Sequence, residues 1–219
     1  MLRIVKIKQS SLCSVIKQKQ VMKVFLYITL SLVVLFFITM AFISKSTRDT
    51  EQHKYVVLKS FDEFEVRQYE AALFSSVKLN ADTYDKVSGT GFRMLAGYIF
   101  GGNETNEKIA MTSPVTMEID DSSKMSFMVP AGIDIENLPT PNNKQIYFEQ
   151  KEEKIIAAIS FGGWADDEKI EKYKLKLIAE LAKNNLSHTG KFAYLGYNPP
   201  FEVINRRNEV AVELTNFTK

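Results

Sequence analysis

From Val24 to Ile43 the chain reads VFLYITLSLVVLFFITMAFI, twenty residues without a charged side chain. At a helical rise of about 1.5 Å per residue the run is roughly 30 Å long, the thickness of a bilayer's hydrocarbon core. A soluble helix keeps a polar stripe along one side, and this run has none. It predicts a transmembrane helix over 24–43.

Beyond a polar stretch, SKSTRDTEQHK at 44–54, the pattern changes to short alternating segments. YVVLKSF (55–61), FEVRQY (64–69) and AALFSSVKL (71–79) read as strands. Tyr84, Val87, Phe92, Leu95 and Ile99 then recur at helical spacing, which predicts a helix over 82–100 ending at Gly101-Gly102-Asn103. Gly89, Gly91 and Gly97 weaken that helix by about 1 kcal/mol each relative to alanine, and glycines on a helix often let something pack closely against it. Val115, Met117 and Ile119 alternate with Thr116, Glu118 and Asp120 in a half-buried strand, and KMSFMVP (124–130) is another.

The same plan follows again. IYFEQ (146–150) and IIAAISF (155–161) are strands, and a helix over 167–184 begins behind Asp166 as N-cap. Ile170, Tyr173, Leu177, Ile178 and Leu181 form its buried stripe, and KFAYLGY (191–197) and EVAVEL (209–214) complete the chain. Two such halves must close on one another to bury both faces of each. The expected class is α+β: a distorted antiparallel β-barrel or strongly curved sheet of two similar β-α-β-β halves, with two helices outside it.

Charge sets topology and removes one function class. Residues 1–23 carry Arg3, Lys6, Lys8, Lys17, Lys19 and Lys23 and no acid, whereas Lys45 and Arg48 beyond the apolar run are mixed with Asp49 and Glu51. The positive-inside rule leaves 1–23 as a basic cytoplasmic tail and carries 44–219 across the membrane. A start at Met22 would turn the same run into a signal peptide, but the run is long and only Ser44-Lys45-Ser46 resembles a cleavage site, so a retained signal anchor is the expectation. Without the six basic residues of the tail, 22 of the chain's 28 remain against 26 acidic ones, a balance of −4 for the exported domain. That is not the footprint of a nucleic-acid binder. The single cysteine, Cys13, lies in the tail, so no disulfide or cysteine nucleophile is available to residues 55–219.

Catalytic motifs are not found. His53 and His188 stand apart from any nucleophile in sequence, and no H-E-x-x-H, G-x-S-x-G, P-loop or G-x-G-x-x-G pattern is present. The carboxylate pairs Glu63/Glu65 and Asp166/Asp167 read as solvated neighbours more readily than as an acid and a base. No ligand spacing supports a metal site. What stands out is Met94, Met111, Met117, Met125 and Met128 within 35 residues, among Phe92, Tyr98, Phe100 and Phe127. Polarizable methionines suit an irregular core first and a flat apolar ligand second.

Four segments carry a family resemblance. YIFGGNETNEKIAMTSPVTM (98–117), GYNPPFEVINRRNEVAVEL (196–214), FEVRQYEAALFSSV (64–77) and FMVPAGIDIENLPTPNN (127–143) resemble, in the right order, the SOUL haem-binding family over 55–214. The resemblance implies a distorted antiparallel barrel of two similar halves with two flanking helices. It also implies non-catalytic binding of haem or another tetrapyrrole in a surface cleft beside the first helix. Carried onto this chain, Lys86 and Arg93 would meet the propionates while Phe92, Met94, Tyr98 and Met111 supply apolar walls. Gln68 stands between Arg67 and Tyr69 where some members carry a histidine. The competing expectations are a binding module for another flat apolar ligand and an envelope interaction or scaffold protein with no small ligand.

Overall fold

The computed structural model describes residues 2–79, 84–118, 123–199, 202 and 205–217. Asp82, Ile119, Asp120 and part of the Pro-rich turn after Pro199 lie outside the described residues, as do the side chains of Arg3, Lys6, Lys8, Cys13, Lys17 and Lys19. The chain divides into two compact units, 1–46 and 47–219.

The first unit is helical, part of α1 (Leu2–Asp49). Within α1, Met22–Ile43 has a mean hydropathy of 2.5 and is exposed on every side. Two hydroxyls inside the apolar run are satisfied locally: Thr29 donates to Phe25 O (2.9 Å) and Thr39 to Phe36 O (2.8 Å). Tyr27 and Ser31 are the other hydroxyl-bearing residues of the run, and Lys23 stands at the edge of the segment. The helix continues six residues past Ile43 into the stretch read as linker, where no glycine or proline stops it.

The second unit contains β1 (Glu51–Gln52), β2 (Tyr55–Ser60), β3 (Glu65–Tyr69), β4 (Ala72–Lys78), α2 (Tyr84–Ile99), β5 (Thr112–Ser113), β6 (Val115–Glu118) and β7 (Lys124–Met128). A short 3-10 turn (Ile135–Asn137) leads to β8 (Ile146–Lys151), β9 (Lys154–Phe161), α3 (Asp167–Lys183), β10 (His188–Gly196) and β11 (Asn208–Leu214). β1 and β5 form a small parallel pair, and the other nine strands form one antiparallel sheet in the order β2-β3-β9-β11-β10-β6-β7-β4-β8.

Two short connections force this sheet to curl. β3 and β4 stand second and eighth in the order yet are joined by only Glu70 and Ala71, and β9 and β8 stand third and ninth yet are joined by only Glu152 and Glu153. Two linking residues reach about 11 Å, whereas six flat strand spacings would need about 29 Å. The ends of the sheet must therefore bend toward each other. β2 and β8 each keep one unpaired edge, so the result is a half-barrel and not the closed barrel. The pairing run β4-β7-β6 around α2 has the same form as β9-β11-β10 around α3, and the runs meet where β6 pairs with β10.

Strand alternation divides the side chains between two faces. Val66, Val77, Phe127, Ile159, Val210 and Val212 pack with Leu95 of α2 and Leu177 of α3, which places both helices on the outer face. Tyr69, Ile156, Ala158, Leu195 and Ala211 form a smaller cluster on the inner face.

The glycine-rich family motif caps α2. Gly101 adopts φ +106°, and the Gly102 N–H returns to Gly97 O at 2.8 Å. Asn103 is buried and donates to Tyr98 O and Glu107 O while accepting from Thr105 and the Glu107 N–H. Gly91 lets α2 lie on the sheet, because a Cβ there would sit 2.7 Å from Leu79 Cδ1 and 3.1 Å from Met125. Gly91→Ala is accordingly expected to destabilise by about 1–3 kcal/mol despite its better helix propensity, readable as a lower midpoint in urea.

Candidate functional site

α2 presents one fully exposed stripe. Lys86, Gly89, Thr90, Arg93, Gly97 and Phe100 follow at helical spacing, and all six are exposed. A Cβ added at Gly89 or Gly97 would meet nothing within 4 Å. Arg93 lies between the two glycines, its Nε donating to Gly89 O at 3.1 Å. Its terminal nitrogens have no partner among the described residues. The stripe is a shelf of bare backbone with a cation in its middle and the Phe100 ring, 64% exposed, at its end.

Phe92, Met94, Tyr98 and Met111, the residues expected to supply apolar walls, lie at or below the edge of this shelf. Phe92 and Met94 are half-buried, and Phe92 stacks edge-on against Phe127 with centroids 5.5 Å apart. Tyr98 is 2% exposed, donates to Pro139 O at 3.1 Å and has its ionisation pushed up to about 12 by burial, with the charge of Glu107 adding to it. Met111 is half-buried and packs on the outer-face core, whereas Met117, Met125 and Met128 are buried. The methionine enrichment therefore serves mainly to fill the space between α2 and the sheet.

The inner face holds a polar network that the pattern of residues did not reveal. Glu209 of β11 is 0% exposed and accepts from Arg67 Nη1 and Nη2 (2.7 and 3.1 Å), Arg207 Nε and Nη2 (3.0 and 2.7 Å), Tyr197 Oη (2.8 Å) and Ser160 Oγ (2.9 Å). Burial alone would raise this carboxyl, but the hydrogen bonds and charges of Arg67 and Arg207 outweigh it and hold Glu209 below the ordinary carboxylate range. Arg67, 3% exposed, also reaches Glu65 at 2.8 Å and lies over the Tyr55 ring. The sequence signal for this network was the Arg-Arg-Asn-Glu run of 206–209 together with an arginine inside an alternating strand.

The carboxylate pairs turn out to have structural partners. Asp166 caps α3 through the Lys169 N–H (2.8 Å), and Asp167 accepts from the Tyr84 N–H (2.6 Å) at the start of α2. Glu63 pairs with Lys176 and Glu65 with Arg67. His53 lies far from α2's stripe in its contacts: its ring packs between Tyr69 (4.7 Å) and Phe74 (5.4 Å), and Nε2 bonds Glu70 O at 2.8 Å. His188 meets the Phe192 ring edge-on, with centroids 5.3 Å apart. Gln68 donates to Glu153 at 2.9 Å. Among the described residues no group of three or more His, Cys, Asp or Glu is placed to hold a metal ion.

Comparison with known proteins agrees with the residues quoted above. The sequence profile described as SOUL heme-binding protein matches residues 50–213. Heme-binding protein 2 of Homo sapiens is 30% identical over 156 residues, covering 67% of this chain and 76% of that protein. Heme-binding protein 1 of Xenopus laevis is 28% identical over 155 residues, covering 67% and 81%. Among solved structures, the EcmrR C-terminal domain aligns with a TM-score of 0.55 at 9% identity, over 71% of this chain and 98% of that one. A hydrolase from Listeria innocua aligns at 0.50 and 7% identity, over 78% and 97%. At these identities the structural likeness is one of fold alone. The profile runs from the start of β1 into β11, and the chain belongs to the SOUL heme-binding protein family.

Proposed function

We propose that this chain is a membrane-anchored, non-catalytic tetrapyrrole binder that holds haem or a porphyrin on the exposed stripe of α2. The family match carries the reading. The shelf adds a surface on which a flat ring can approach helix backbone at Gly89 and Gly97, with Arg93 and Lys86 on the same side to meet propionates. Phe92 and Met94 flank it, and Tyr98 and Met111 support it from beneath. Bound haem would supply its own iron chemistry; the chain's part is to pack one ring face, pair the carboxylates and shield an edge from water.

The donor set fits a porphyrin better than it fits iron. Neither histidine of the chain lies on α2, and Gln68 is occupied with Glu153. Haemin and iron-free protoporphyrin IX are therefore expected to bind within about threefold of each other, since 1.4 kcal/mol is tenfold in affinity and no strong axial bond contributes here. The test is a titration of each into the full chain held in amphipol, followed by the Soret band. Gly89→Leu and Gly97→Leu should abolish the spectral change while leaving the fold at least as stable, because each replaces glycine in an open helical position. A Soret band identical to that of free haemin, or full binding by both leucine variants, would rule the shelf out.

The anchor is residues 24–43, with the basic tail of 1–23 in the cytoplasm, 44–54 leading out of the membrane and the domain of 55–219 on the outer side. The exposed apolar surface of Met22–Ile43 supports it, since a soluble chain does not leave a contiguous patch of that size in water.

A further inference from the structure

The tetrapyrrole reading uses only the outer face of the sheet. Behind it the curled strands enclose a groove with a different character. Tyr69, Ile156, Ala193, Leu195 and Ala211 form its apolar floor. Lys151, Lys154 and Lys191 line it from β8, β9 and β10. Lys151 is committed to Glu149 (3.4 Å) and Glu118 (3.9 Å) and lies over the Phe74 ring (4.6 Å). Lys154 and Lys191 have no ion-pair partner among the described residues. Glu213 is the one acid at the groove's lining, and it is exposed and solvated. Burial holds His53 below the ordinary imidazole range, with Lys154 and Lys151 pushing the same way against the bond to Glu70 O.

We propose that this inner groove is a second ligand site, distinct from the α2 shelf, for a small aromatic carboxylate. The groove is shallow and open to solvent: it encloses about 60 Å³, room for a few waters, so a ligand rests on its floor and is not engulfed. A separate polar cavity of about 260 Å³, which shares His53 with it, is lined by Glu51, Lys54 and Glu70 and takes no part in the site. One or two fused rings can lie flat on such a floor, and a tetrapyrrole is too large for it. Charge sets the class: two uncommitted ammonium groups beside an apolar floor favour an anion with a flat apolar body. The ring displaces water from Tyr69 and Leu195, and the carboxylate faces Lys154 and Lys191.

The experiment is calorimetric titration of the full chain in amphipol with 1-naphthoate and with its neutral analogue 1-naphthamide. Saturable binding of naphthoate, at least tenfold tighter than naphthamide, is expected. The double variant Lys154→Gln/Lys191→Gln should weaken naphthoate at least tenfold and leave porphyrin titration unchanged, while Gly97→Leu should do the reverse. Unsaturable naphthoate binding, equal binding of the amide, an unaffected double variant, or displacement of naphthoate by haemin each overturns the second site. The amide comparison decides the matter even if the double variant folds poorly.

Discussion

Glu209→Gln is expected to lower the unfolding free energy by about 3–5 kcal/mol. Two guanidiniums converge on this one carboxylate, and Arg67 is nearly as buried as Glu209 itself. Removing the negative charge leaves the buried Arg67 facing the partly exposed Arg207 over a neutral amide, with the Arg67 charge poorly compensated where little water reaches it. For a domain of this size about 2–4 °C is lost per kcal/mol, so the midpoint should fall by about 6–20 °C in calorimetry. Replacing Arg67, Glu209 and Arg207 together by apolar residues should recover much of that loss, because no buried charge is then orphaned. The pH dependence has a definite sign. Glu209 is held below its unfolded range, so its contribution is complete at neutral pH and fades as pH falls through its folded-state pKa. Glu209→Gln should therefore flatten the acid limb of the stability profile. A midpoint within 2 °C of wild type would show that the network is not what holds β3, β9 and β11 together.

Val34→Arg/Leu35→Arg is expected to release the chain from membranes. Each arginine near the middle of a spanning helix costs about 2.5–3.5 kcal/mol on insertion scales, so the pair costs about 5–7 kcal/mol, a shift of roughly four to five orders of magnitude in partitioning. Wild type should stay in the pellet through alkaline carbonate extraction, and the variant should not. Topology can be read from the chain's own single cysteine. In intact cells a membrane-impermeant maleimide should label Lys172→Cys, on the exposed side of α3, and should leave Cys13 unlabelled until the cells are opened. A mature chain that lacks Cys13 and also leaves the carbonate pellet would mean that the apolar run is removed as a signal.

Much of the domain was legible because its strands and helices obey simple periods. Val210, Val212 and Leu214 alternate with Glu209, Ala211 and Glu213, and they do face the outer core. Asp166 is followed by helix-forming residues, and it does cap α3. Nothing in the pattern marks the two-residue strands β1 and β5, since two residues carry no period at all. For the same reason the pattern leaves His53 in the linker, although its ring is wedged between Tyr69 and Phe74. The wall residues separated similarly: helical spacing places Lys86 and Arg93 on one stripe, but whether Phe92 or Tyr98 is open to a ligand depends on what the sheet places against them.

The sequence by itself determined the apolar span, the order and type of the main elements, the helix caps and the family, because each depends on neighbours within one or two turns or on short contiguous motifs. Tertiary structure alone decided that the barrel stays open, that Arg67 meets Glu209 across 142 positions of chain, and that the inner face bears lysines over an apolar floor. Those outcomes depend on which strands become neighbours. Strand order is set by the packing free energy of the whole sheet and by two-residue connections that pull distant strands together, and no local pattern encodes it.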